Sequence, residues 1–398
     1  MTALSFRSVY RFSGFVLLLL SVALLGACAK PKPVEFKFVW PQPPEKPRYH
    51  YERTIYGTGD IMGEMTAQEK WMEVATGAGR MSQGFSKPYH VAVHKGRVHV
   101  TDTVGKRVLV MDSPNRRAFN IGDKEDRGKL LKPIGIDIDD NGMVYVADVT
   151  GRRVIMYDPE GKFIKGFGDS KKGALSRPAG VAVNPEGTRV YVVDTGGVTA
   201  EQEEHRVRVY DVASAEHLFD IGTRGGREGE FNLPLQADIG PDGLLYVLDS
   251  GNFRVQVFDQ EGNFLRKFGK VGRNYGDLAR PKAISIGPDG MIFVVDTAFS
   301  NFQIFTPEGQ LLMFIGERGA SGMPGRYQLP SGIDVDEDGR IYFVDQFFRK
   351  VDVFRPNYTP EGSGYLVTGE KAPKTETWDF PTMEEVEEGN EDFSKDAP

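Results

Sequence analysis

Several side chains in this sequence could do chemistry, and their spacing is the first clue to what they do. Asp102, Asp148, Asp249, Asp296 and Asp345 are each followed five residues later by Arg107, Arg153, Arg254, Asn301 and Lys350. Asp194 has its counterpart, Arg206, only after twelve. A carboxylate beside a cation can relay protons or hold an ion. Repeated in every copy of a unit, it reads instead as scaffold: it accepts hydrogen bonds from its own turn and pairs with the basic residue. Asp137-Ile138-Asp139-Asp140-Asn141-Gly142 and Asp334-Val335-Asp336-Glu337-Asp338-Gly339 mimic a calcium loop, with Asp148 and Asp345 at the twelfth position. The pattern belongs to helix–loop–helix, whereas these stretches read as strand–turn–strand. Their carboxylates would diverge, so hairpin turns built on Asp and Gly explain them. The six histidines (His50, His90, His94, His99, His205, His217) form no sequence cluster, and no nucleophile–base pair stands out.

The elements that carry these residues recur. A proline followed by an alternating apolar run stands at Pro88, Pro133, Pro178, Pro234, Pro281 and Pro330. Each unit then reads as four short strands. Gly180–Val183 typifies the first, Val144–Asp148 the second, Arg254–Phe258 the third, and the fourth ends in pairs such as Phe167-Gly168 or Ile315-Gly316. Period-two alternation with β-branched and aromatic residues marks strands. Four such strands in about 45 residues mark a propeller blade. The fold expected is all-β, a six-bladed propeller of four-stranded antiparallel blades over residues 50–369.

The last unit has three clear strands, ending near Phe354. The segment 51–57 matches a fourth strand (compare 265–269) and is expected to complete that blade and close the ring, with Gly364-Tyr365-Leu366-Val367 as the competing candidate. Residues 58–87 form an insertion with a short helix over 66–76. The chain's length of 398 residues, with 40% hydrophobic and 26% charged residues, suits one large domain plus appendages and excludes wholesale disorder.

The ends carry other signals. Arg7, Arg11 and the apolar run from Phe15 to Leu25 read as a signal peptide over 1–27. Leu25-Gly26-Ala27-Cys28 resembles the bacterial lipobox, in which the cysteine is linked to diacylglycerol. Cys28 is the sole cysteine, which also excludes disulfides, thiolate clusters, zinc fingers and covalent haem. Acylation at Cys28 would hold the protein to a lipid bilayer. Ala29, where an Asp would signal inner-membrane retention in that class, favours the outer membrane of a Gram-negative cell. A Pro-rich tether is expected over 28–49. Residues 370–398 carry ten acidic and three basic residues, matching the whole net charge of −7. They read as a disordered tail, either solubilising or a docking segment around Trp378, Phe380 and Phe393.

The repeats resemble the NHL family of six-bladed propellers over roughly residues 50–357, and with the lipobox the chain is similar to bacterial NHL-repeat lipoproteins. Some members of that family are amidating lyases, with histidines from several blades converging on a metal in the central channel. The resemblance places the residues two after each repeat proline in that channel: His90, Gly135, Gly180, Gln236, Ala283 and Gly332. Only His90 could ligate, so no catalytic residue, metal or other cofactor is expected.

Loops joining the fourth strand to the next blade should share a face with those joining strands two and three. Five of the former (122–133, 168–178, 222–234, 269–281, 316–330) hold fourteen Lys or Arg against eight Asp or Glu. A basic face suits an acidic partner; solvated loops with no partner are the alternative. The residues expected to contribute are Lys106, Arg152, Lys171, Arg224, Arg273 and Arg318, with Phe253, Phe299, Phe347 and Phe348 as aromatic anchors unless they pack between blades. The function expected is a lipid-anchored, non-catalytic scaffold, a monomeric propeller that binds an envelope protein and no nucleic acid. The alternatives are a lyase or lactonase-like hydrolase in the channel, and a glycan or cell-wall binder. Convergent carboxylates or histidines in the channel would favour the enzyme; an apolar or glycine-lined channel would favour the scaffold.

Overall fold

The computed structural model describes residues 38–62, 65–77, 82–168, 173–196 and 205–373. Six antiparallel sheets make up the fold; the first five pair their four strands in sequence order, and the sixth takes its outer strands from the N-terminal segment. Blade one runs from Pro88–His94 to Arg117–Ile121 and blade two from Pro133–Ile138 to Phe163–Phe167. Blades three, four and five run from Pro178–Val183 to His217–Ile221, from Pro234–Ile239 to Phe264–Phe268, and from Pro281–Ile286 to Leu311–Ile315. Blade six begins with Pro330–Val335, Ile341–Asp345 and Lys350–Pro356. First strands pack on those of neighbouring blades, including blade six on blade one, so the ring is closed around a central channel.

The burial of each strand follows its radius. Second strands such as Val144–Asp148 and Ile341–Asp345 are buried at every position, because each sheet is sandwiched between two neighbours. That explains their nearly continuous apolar runs. Outer strands alternate, as in Phe264–Phe268. The core therefore lies between blades. One cluster joins Tyr246, Leu248 and Val255 of blade four to Ile284, Ile292 and Val294 of blade five. Another joins Tyr342 and Val344 of blade six to Val91, Val98 and Val100 of blade one.

Closure occurs as the pattern of 51–57 implied. Tyr49–Ile55 pairs antiparallel with Lys350–Pro356, from Tyr49 opposite Pro356 to Ile55 opposite Val351. The competing segment is instead a short helix, Tyr365–Thr368, ended by Gly369 at φ +77°. Val39–Trp40, in the stretch read as tether, adds a fifth strand beside Tyr49 and His50. Its prolines hid a strand that is held by packing: the Trp40 ring sits edge-on to Phe354 at 5.2 Å. Arg340 locks this junction. Its buried guanidinium donates to Glu52 at 2.7 Å and to the Ser363 carbonyl at 2.5 Å, and reaches Asp338 at 3.4 Å.

The connection from Ile55 to Pro88 carries a helix over Ala67–Thr76. Its base is pinched where Gly57 bridges Gly84 and the Thr58 amide donates to the Gln83 carbonyl. Among the described residues, no helix is long and apolar enough to cross a membrane.

Candidate functional site

The channel narrows where the residues two after each proline meet. A Cβ on Gly135 would lie 2.9 Å from Gly180 Cα, one on Gly180 2.8 Å from Gln236 Cα, and one on Gly332 2.6 Å from His90 Cα. Backbones this close require glycine. His90 and Gln236 are left 5% exposed. Neither ring nitrogen of His90 has a hydrogen-bond partner among the described residues, and burial lowers its pKa to about 4. The layer is thus a packed, glycine-lined throat around a neutral imidazole.

Two residues further along each first strand, the chain does something the sequence reading missed. Blades two, four and six carry Asp137, Asp238 and Asp334, where blades one, three and five carry Ala92, Ala182 and Ser285. Asp137 accepts the Val183 amide of the next blade at 2.7 Å and the Ile138 amide of its own at 2.8 Å. Asp238 takes Ile286 at 2.7 Å and Ile239 at 2.8 Å. Asp334 takes Val93 at 2.6 Å, bonds the Val335 amide, and accepts the Ser285 hydroxyl at 3.2 Å. First strands expose an unpaired edge to the channel. One carboxylate with two oxygens serves two blades, so alternate blades suffice.

These three groups sense one another. Burial and then the charge of Asp238 push the Asp334 carboxyl up to about 8. Burial pushes Asp238 up to about 7. Asp137 is raised by burial and then by Asp238. Backbone amides pull each value the other way. Carboxyls raised in this way are suited to proton exchange nearer neutral pH, yet each is also a structural bridge. Among the described residues, no group of three or more His, Cys, Asp or Glu is arranged to hold a metal ion.

The repeated aspartates are clamps. Asp102 accepts the Ser86 and Lys87 amides at 2.7 and 2.9 Å, and Gly105 of its own turn at 2.9 Å. Asp148 holds Leu131, Lys132 and Gly151 in the same way. Arg254 pairs with Asp249 at 2.9 Å. Arg107 and Arg153 turn away, to Gln83 and to the Lys129 carbonyl. In blade three the base beside Asp194 is Arg208, at 3.6 Å, while Arg206 pairs with Asp220. The calcium-like stretches are turns: Asp139 accepts the Asn141 and Met143 amides and the Tyr145 hydroxyl, and Asp336 accepts Asp338, Arg340 and the Tyr342 hydroxyl. Their first members, Asp137 and Asp334, are the channel carboxylates.

The second-to-third loops and the blade-to-blade connections share one face, here called the top. Lys106, Arg152, Arg224, Arg273 and Arg318 are all exposed there. Lys106, Arg152, Phe253 and Arg349 occupy the same left-handed turn position, with φ of 51–55°. Lys171 and Cys28 lie outside the described residues. Of the four aromatic anchors, Phe347 is 61% exposed, whereas Phe253, Phe299 and Phe348 are half-buried. Phe253 packs into the core between blades four and five. Tyr275, 75% exposed and stacked on Phe314 at 4.6 Å, is an anchor the sequence reading passed over. Other exposed apolar side chains on this face include Val104, Leu131, Val271 and Met323. The bottom face holds a cavity of about 560 Å³ between blades one and two, lined by His94, Arg97 and His99. There Arg97 is paired with Asp112 and His94 with Glu337.

Residues 231–258 match the NHL repeat family model. The RING finger protein nhl-1 of Caenorhabditis elegans is 42% identical over 52 residues, which are 13% of this chain and 5% of that protein. The chain therefore corresponds to only a small part of that relative's length. Among solved structures, a gluconolactonase from Xanthomonas campestris superposes with a TM-score of 0.53 at 15% identity, covering 68% of this chain and 86% of that one. A streptogramin B lyase gives 0.50 at 15% identity, covering 70% and 96%. A Bacteroides thetaiotaomicron protein of unknown function gives 0.54 at 15% identity, covering 69% and 70%. At this identity the likeness is one of fold.

Proposed function

We propose that this NHL-repeat propeller is a non-catalytic scaffold, anchored through an acylated Cys28 in a bacterial envelope, at the outer membrane of a Gram-negative cell, and that its top face holds a protein partner. One observation carries the reading. Exposed large apolar side chains gather on the top-face connections, led by Val74 and Trp71 of the helix between Ile55 and Pro88 and by Tyr275, with Val104, Val271 and Phe347 among them. The bottom face exposes Val367, and the outer strands Ile164, Leu218 and Leu265. Apolar anchors amid cations are the composition of a binding surface. The glycine throat supports the same reading, because it leaves little room for a substrate in the channel.

The test is capture. Tyr275→Ser and Phe347→Ser remove exposed side chains, so stability should change by less than about 0.5 kcal/mol. Partner recovery from native membranes should fall about tenfold or more if these are interface anchors. Undiminished recovery would contradict the reading. Mass spectrometry of the mature N-terminus tests the anchor separately.

A second reading, a hydrolase or lyase working from the channel, is favoured by the convergence of Asp137, Asp238 and Asp334. Turnover abolished by Asp238→Asn in a chain that still folds would establish it.

A further inference from the structure

The six residues that precede the repeat prolines ring the top mouth of the channel: Lys87, Lys132, Arg177, Leu233, Arg280 and Leu329. All six are exposed. Their backbone is fixed, because the blade aspartates hold their amides, with His205 doing so for Leu233. Just inside, the half-buried Lys282 of blade five reaches toward blade one, its Nζ 5.3 Å from the centre of the Tyr89 ring. Burial lowers the Lys282 pKa, and the charges of Arg280 and Lys87 lower it further. Arg177 of blade three is close enough to act on the Tyr89 hydroxyl.

None of Lys87, Arg177, Arg280 and Lys282 has a carboxylate within ion-pair distance among the described residues. The contrast is with the buried cations of the molecule. Arg254, Arg340 and Lys350 are buried cations with acidic partners. Here Lys87, Arg177, Arg280 and Lys282, with Lys132 of blade two beside them on the same ring, gather without one. Like charges gathered at a partly desolvated mouth repel, and an anion relieves that repulsion.

We propose that this mouth is an anion site that takes an acidic peptide segment of the partner, its carboxylates interspersed with apolar residues. This rests on the scaffold reading given above. The cations are spread over blades one, two, three and five, which suits several carboxylates along a chain better than a single small ion. Leu233 and Leu329 stand between them for the apolar residues. The Tyr89 ring holds the Lys282 ammonium in place.

The probe is a capped, fluorescent glutamate–leucine peptide, titrated onto the full chain at low and at physiological salt. Binding should weaken as salt rises. It should weaken about tenfold or more in Lys282→Met and in Arg280→Gln. Lys162→Met, which removes an equal charge from an exposed hairpin of blade two on the bottom face, should leave it unchanged. Thermal melts confirm that each variant folds. Equal binding by the wild type and Lys282→Met would overturn the proposal. So would displacement of the peptide by an equal concentration of inorganic phosphate, which would make this a small-anion site. Binding that emerges only when the acidic residues of 376–396 are changed to their amides would make the chain's own tail the occupant, again overturning it. Capture from membranes separates the two readings. A partner recovered equally by the wild type and Lys282→Met would remove this inference and leave the scaffold. Peptide binding at the mouth with no partner recovered would keep the anion site and remove the scaffold.

Discussion

Changing Asp238 to Asn probes the channel ring most sharply. The Asp238 carboxyl lies at about 7 in the fold against an unfolded value of 3.8. Its folded value is raised, so its contribution favours folding in full below about pH 4 and is lost as pH rises through about 7. A change of that size is worth ~4 kcal/mol if nothing offsets it. The side chain is half-buried and faces the channel, which reduces the figure to about 1–2 kcal/mol. Asn keeps one acceptor oxygen, as the protonated carboxyl effectively does, so one of the Ile239 and Ile286 amides is poorly served in both. Near pH 4 the two proteins should therefore unfold at nearly the same urea concentration, with the difference opening as pH rises from there. At pH 9 the wild type carries the charge and Asn does not, so the variant should be more stable by about 1–2 kcal/mol. Taking the difference cancels the titration of other groups. If the variant instead loses stability relative to the wild type as pH rises, the charged carboxylate is a net stabiliser through its two amides, and the reasoning fails.

Other consequences follow from named contacts. Burial lowers the pKa of His90 to about 4 and of His99 to about 3, with Arg97 adding to the latter; stability from both is present above pH 6.5 and lost as pH falls through those values, so a urea midpoint series should fall less steeply below pH 6 in His99→Gln than in the wild type. Gly332→Ala would place a Cβ 2.6 Å from His90 Cα and should cost about 2–4 kcal/mol in chemical denaturation. Arg340→Met leaves Glu52 and Asp338 without their partner and should cost about 3–5 kcal/mol, with early loss of the closing strand in hydrogen exchange.

Much of this architecture is legible in the chain because the blade repeats. Six prolines and six aspartates set the strands, and the likeness of 51–57 to a fourth strand points to the N-terminal segment that completes the last blade, though 364–367 competes with it on pattern alone. The channel carboxylates were on the page as well: Asp at the fourth position after Pro133, Pro234 and Pro330, but not after the other three prolines. They were hidden because Asp137 and Asp334 also open calcium-like stretches, and because the amides they serve belong to the next blade, 46 residues away in sequence for Asp137, 48 for Asp238 and 241, across the ring closure, for Asp334. A repeat aligned on itself shows what is common; these groups work by alternation. The strand at Val39–Trp40 was obscured by neighbouring prolines, since its stability comes from the Trp40–Phe354 contact rather than from local pattern. Which loop aromatics face solvent was likewise unreadable. Phe253 and Phe347 sit in like loops but at different positions, four residues after Asp249 and two after Asp345, and the first is tucked in while the second is not.

The central claim is that the top face holds a protein. A photo-crosslinking residue placed at Phe347 or Tyr275 of the lipidated chain, activated in intact cells, tests it directly. The account predicts one discrete, recurrent crosslinked protein from these positions and none from a control at Val367 on the bottom face. Equal, diffuse crosslinking from both faces, or none from either, would contradict it.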